Sequence, residues 1–188
     1  MELLIVIGIL GILAAGLLAA IDPFEQLKKA RDTNNRSATL SLLSGFTSFY
    51  ANHGAFPWNL TTPSANCKRA AANDPLFLLG KLTTNSMEIH NMEACLTESV
   101  IADGELKDTY MAGIGATQIF VASDKTDLTN LWVCYAPEGK AARLDASTKY
   151  LVTGAADPYT IVEQTGLGGL TACPNTTGAA VTCAQCFK

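Results

Sequence analysis

Between Leu3 and Ile21 the chain carries no polar side chain, LLIVIGILGILAAGLLAAI, and one acid, Glu2, stands just ahead of that run. At about 1.5 Å of rise per residue, a helix over these positions is nearly as long as the ~30 Å hydrocarbon core of a bilayer. Apolar on every face, it lacks the one-sided pattern of a helix on the surface of a soluble domain. A secretory signal peptide would open on Lys or Arg, have a shorter apolar centre and end at small residues. The pattern predicts a single-span transmembrane helix, here an element over residues 1–22.

The period changes after Pro23. In FEQLKKARDTNNRSATLSLLSGFTSFYANHG, Leu27, Ala30, Ala38, Leu42, Phe46, Phe49 and Tyr50 recur at three- and four-residue steps, with Lys28, Lys29, Arg31, Asp32 and Arg36 on the other faces. This predicts that the helix continues as an amphipathic half, 23–54, ending where Gly54 can take a left-handed cap. The two halves together make a helix of about 50 residues. Its weak point runs from Gly16 to Pro23, since Gly costs about 1 kcal/mol against Ala and an internal Pro about 3 kcal/mol.

Residues 55–188 are predicted to be a globular head in three parts: a loop region 55–115, a sheet 116–164 and a Cys-rich tail 165–188. The loop region holds one short apolar helix candidate, Asp74 to Lys81. Four strands are expected, Ala116 to Ala122, Asn130 to Tyr135, Lys149 to Thr153 and Tyr159 to Gln164, separated by Gly, Pro, Asp and Lys turns. The tail reads as loop pinned by disulfides. One long helix on a short antiparallel sheet is an α+β architecture.

Glu2 raises a question of charge. A carboxylate at the edge of hydrocarbon is costly, and a group retained there usually marks function. The next basic residue is Lys28, so the partner must come from another molecule. Gly8, Gly11 and Gly16, with Ala14, Ala15, Ala19 and Ala20, leave small surfaces that let helix backbones approach. Leu3, Gly8, Gly11, Ala15, Gly16 and Ala19 are the candidate packing positions.

These residues carry a resemblance. The segment Glu2 to Leu18, ELLIVIGILGILAAGLL, resembles the N-terminal segment of bacterial type IV pilins and the related pseudopilins. It implies the type IV pilin fold and a structural subunit, the major pilin, of an extracellular filament used for adhesion, motility, DNA uptake or related surface functions. It also implies that a prepilin peptidase cuts a basic leader and that the new N-terminal residue is methylated. The Glu2 carboxylate would then pair with the terminal amine of a neighbouring subunit and set the axial register. The residues that precede this Glu in the family are absent, so the mature N-terminus is expected upstream of Met1. The implied partners are copies of the chain itself, the inner membrane before assembly, the peptidase, an assembly ATPase and a platform protein. Two alternatives stay open: a minor pilin or type II secretion pseudopilin, and, from another class, a membrane-anchored binding domain that never polymerises.

Charge and cysteine content fit an exported structural protein. Thirteen basic against 17 acidic residues, net −4, imply no specific nucleic-acid binding. The six cysteines, Cys67, Cys95, Cys134, Cys173, Cys183 and Cys186, all lie in the head, and an even number in an exported domain reads as disulfides. Cys67 is expected to pair with Cys95, and Cys134 with one tail cysteine, leaving the other two to each other. Cys183-Ala-Gln-Cys186 also has the spacing of a redox pair or half a zinc site, but it sits in a Gly- and Thr-rich tail, two residues before Lys188, and His53 and His90 are isolated. No metal, cofactor or enzymatic role is expected, and Asp145 and Asp157 lie in no calcium-binding pattern. Asn35, Asn59 and Asn175 are in Asn-x-Ser/Thr tripeptides and are candidates for glycosylation.

Overall fold

The computed structural model describes residues 2–20, 22–67, 77–81, 92–114, 119–124, 129, 131–148, 150–153, 160–163 and 181–188. The architecture is α+β: a long helix near the N-terminus and an antiparallel sheet, with disulfides in the head.

The expected single helix of about 50 residues is divided in two, α1 (Glu2–Ala20) and α2 (Pro23–His53). The division follows from two adjacent residues. Asp22 is extended, with φ −81° and ψ 98°, and its Oδ1 accepts from the backbone N–H of Phe24 (3.1 Å) and Glu25 (3.3 Å). Pro23 follows at the first helical position, where its missing N–H costs nothing. What reads as a helix-breaking proline is therefore the start of a new helix. At the other end Gly54 takes φ 71° and donates to the Tyr50 carbonyl (2.7 Å), closing α2 with a left-handed cap.

The sheet has six strands in the order β1-β2-β3-β6-β4-β5, every adjacent pair antiparallel. β2 (Ile119–Asp124), β3 (Leu131–Tyr135), β4 (Tyr150–Thr153) and β5 (Thr160–Glu163) fall within or close to the four expected runs. Two strands differ from expectation. Phe77–Lys81, read as part of a helix, is β1 and pairs with β2, Leu79 opposite Ala122. A segment this short has no helix stability of its own, and the edge of β2 satisfies its backbone groups with a ladder. Val181–Phe187, read as loop, is β6 at the centre of the sheet. Its first half pairs with β4, Cys183 opposite Leu151, and its second with β3, Cys186 opposite Cys134.

Alternation along the strands gives the sheet two apolar faces. Ile119, Val121, Leu131, Val133 and Tyr135 join Leu42, Phe46 and Phe49 of α2 in the main core, with Phe56, Trp58, Met92, Leu96 and Val100. Phe120, Ala122, Cys134 and Ala184 form a second cluster on the other face. Between β1 and β2 lie α3 (Met92–Leu96), a π-type turn (Thr97–Ile101) and α4 (Tyr110–Ile114), which run back along α2. The connection between the π-type turn and α4 crosses α2 closely at Gly45, where a Cβ would lie 2.5 Å from Leu106 Cδ1.

The buried stripe of α2 is less apolar than predicted. It begins with Asp32, Asn35 and Thr39 before reaching Leu42, while Leu27 and Ala30 are exposed. Asp32, assigned by periodicity to an outer face, is 5% exposed. The reason is local: this part of α2 meets backbone N–H groups rather than side chains. Asp32 accepts from Glu138 N and Gly139 N, both at 2.8 Å, and Glu25 accepts from Lys140 N at 3.1 Å. These three donors lead into α5 (Lys140–Leu144), so two carboxylates of α2 hold the start of α5 against it.

Candidate functional site

α1 has the least ordinary environment in the molecule. Every described side chain from Glu2 to Leu17 is exposed, with the large apolar ones between 54% and 77%. Apolar all round, α1 presents no polar side to water. A Cβ placed on Gly8, Gly11 or Gly16 would meet nothing within 4 Å. Gly8, Gly11 and Ala15, at steps of three and four, fall on one side of the helix, which is free for a close neighbour.

The bare surface can be put on an energy scale. Ten Leu, Ile and Val side chains at these exposures amount to an apolar patch on the order of 1,000 Å², beyond the few hundred Å² a soluble monomer ordinarily shows. At about 25 cal/mol per Å², covering it is worth on the order of 25 kcal/mol, more than the whole stability of a typical domain. Among the described residues no helix is long and apolar enough to cross a membrane; the 19 residues of α1 come to about 28 Å.

Elsewhere the sequence candidates separate. Cys67 is bonded to Cys95 and Cys134 to Cys186, and Cys183 is also in a disulfide; Cys173 lies outside the described residues. The CxxC therefore has its two sulfurs in different bonds and is not a dithiol pair. Asn35 is buried on α2, and the side-chain nitrogen of Asn59 is buried, so neither amide is open to an enzyme in the folded chain. Asn175, His90 and Asp157 lie outside the described residues. Asp145 takes the N–H (2.8 Å) and the hydroxyl (2.6 Å) of Ser147, and these bonds hold its carboxyl below the usual range. His53 stacks on Phe49 and stands 3.3 Å from Asp103. Among the described residues no three His, Cys, Asp or Glu side chains come together as metal ligands.

Two open grooves flank α2. One, of about 570 Å³, runs between Ser37, Ser41 and Ser44 and the segment Lys107–Ile114, where the Tyr110 hydroxyl donates to the Ala38 carbonyl (2.9 Å). Burial pushes the Tyr110 hydroxyl above its ordinary value. The other, of about 550 Å³, lies over Glu25, Asp32, Arg36, Tyr135 and α5. The polar groups on its floor are mutually satisfied: the Tyr135 hydroxyl donates to Gln185 Oε1 (2.8 Å), and Gln185 Nε2 donates to Thr148 Oγ1 (2.8 Å) and the Ala142 carbonyl (3.1 Å).

Comparison of the chain with protein-family models, curated proteins and solved structures finds no match. The reading of function therefore rests on the physical character and exposure of α1.

Proposed function

We propose that the chain is a structural subunit with the type IV pilin fold, the major pilin of an extracellular filament, which polymerises by burying α1 among the α1 helices of its neighbours. The observation that carries this reading is α1 itself, an all-round apolar helix, headed by one carboxylate, whose described side chains are all exposed. Before assembly the bilayer would cover it. Lipid and neighbouring helices are similarly apolar, so the exchange is near neutral, and cohesion comes from close packing at small residues and from polar pairing. Gly8, Gly11 and Ala15 supply the first. Glu2 supplies the second, paired with the terminal amine of an adjoining copy so that one subunit fixes the height of the next.

In this scheme the disulfide-bonded head faces outward, and a prepilin peptidase, an assembly ATPase and a platform protein perform processing and export. The test is Glu2→Ala. The variant is expected to be made, inserted in the inner membrane and folded in its head, yet to give few filaments when cells are sheared. Wild-type filament yield from Glu2→Ala would overturn the role given to Glu2.

A further inference from the structure

The first two turns of α2, whose Glu25 holds the start of α5, also carry two apolar side chains that the head leaves uncovered. Phe24 and Leu42 are eighteen positions apart, as are Leu27 and Gly45, and at about 3.6 residues per turn each pair points the same way. Leu42 and Gly45 are buried, whereas Phe24 is 72% and Leu27 57% exposed. In the following turn stand three cations, Lys28, Lys29 and Arg31. Lys29 makes no ion pair among the described residues. Lys28 is 3.0 Å from Glu25, and Arg31 is 3.0 Å from Glu138 with its side chain 63% exposed. Such surface pairs are worth little and exchange readily.

From Phe24 to Arg31 is about 10 Å of helix, enough to cross the roughly 5–8 Å headgroup region on one side of a bilayer and reach water. Aromatic side chains favour that layer at either face of a membrane, and cations beside them pair with anionic headgroups where these are present. A second copy's α1 would suit Phe24 and Leu27 but brings one carboxylate, Glu2, for three cations. We infer that Phe24 and Leu27, with Lys28, Lys29 and Arg31, form an interfacial anchor that seats the unassembled subunit in a layer of anionic lipid headgroups. The anchor rests on the reading of α1 as membrane-inserted before assembly. It sets the head at a fixed height above the bilayer, held by contacts that must be released when the subunit leaves.

The test uses the full chain in phosphatidylcholine vesicles, with and without phosphatidylglycerol. Phe24→Trp reports the anchor and Leu10→Trp reports α1, each read against the emission of the parent chain, which has Trp58 and Trp132. Lipids brominated near the headgroup or at mid-chain act as quenchers. Leu10→Trp is expected to lose emission to mid-chain bromine. Phe24→Trp should shift to the blue and lose emission to headgroup-proximal bromine, more so with phosphatidylglycerol, and that gain should disappear when Lys28→Gln, Lys29→Gln and Arg31→Gln are combined. Leu10→Trp quenched with Phe24→Trp unquenched would overturn the anchor and leave membrane insertion standing. Neither quenched would overturn both. Quenching of Phe24→Trp that ignores phosphatidylglycerol and the three cations would overturn the anionic specificity. A Phe24→Trp shielded only at high protein-to-lipid ratio and never quenched would assign the two apolar side chains to a second copy instead.

Discussion

Asp32→Ala probes the join between α2 and the far end of the head. The carboxylate is buried and accepts two backbone N–H groups at 2.8 Å, from Glu138 and Gly139, more than a hundred residues away in sequence. A Cβ on Gly139 would stand 2.9 Å from Asp32 Oδ2, so a side chain at 139 would make the carboxylate shift. Hydrogen bonds to a charged acceptor contribute about 1.5–3 kcal/mol each, and a buried donor left without one costs about 1–3 kcal/mol. Losing both acceptors at once should cost about 3–5 kcal/mol. For a chain of this size that lowers the midpoint of thermal unfolding by roughly 6–20 °C. Asp32→Asn should fall in between, because one amide oxygen still accepts while the NH₂ confronts the other N–H. Equilibrium urea unfolding of the full chain in detergent micelles, followed by tryptophan emission, gives the change directly. A loss below about 0.5 kcal/mol for Asp32→Ala, the range of an ordinary surface substitution, would refute the claim that this acid clamps α5.

Two further outcomes follow from the head. Burial pushes the Tyr135 hydroxyl up to about 12, with the Asp32 charge adding to the shift, whereas an unfolded tyrosine titrates near 10; the folded state favours neutral Tyr135, so stability should be full below about pH 10 and fall as the pH rises toward 12. Tyr135→Phe should flatten that alkaline fall in a urea series across pH, and an unchanged slope would count against it. The Cys134–Cys186 bond closes a separation of 52 residues and ties central β6 to β3; replacing both cysteines with Ala should cost about 4 kcal/mol in the loop-entropy picture. An unshifted urea midpoint for that double variant would mean that pairing of β6 does not depend on the bond.

Much of the fold was legible in local signals, because those signals act over a turn or two. The apolar run of α1, the glycine that ends α2, and the β-branched and aromatic runs of β2 to β5 each declare themselves within a few residues. What escaped depends on partners distant in sequence. Phe77–Lys81 and Val181–Phe187 carry weak patterns of their own and become strands because β2, β3 and β4 present edges to them. Asp32 reads as a solvent-facing charge by periodicity, and only the arrival of the backbone at Glu138 and Gly139 makes its burial tolerable. Pro23 was recognisable as an interruption, but the cap from Asp22 that turns it into a helix start was missed, although Asp before Pro ahead of an amphipathic run is the signal that would have found it. At the candidate site the exposed helix and its lone acid were readable from the opening residues of the sequence, whereas the exposure of Phe24 and Leu27 beside the start of α5 needed the packing of α2 to be known.

Assembly is tested most directly by shearing intact cells, imaging the released material by electron microscopy and sequencing the N-terminus of its main protein. The proposal predicts filaments built of this chain, beginning a few residues ahead of Glu2 with a methylated residue. Chain that stays wholly with the membranes, unprocessed and with no filaments in the sheared fraction, would contradict it.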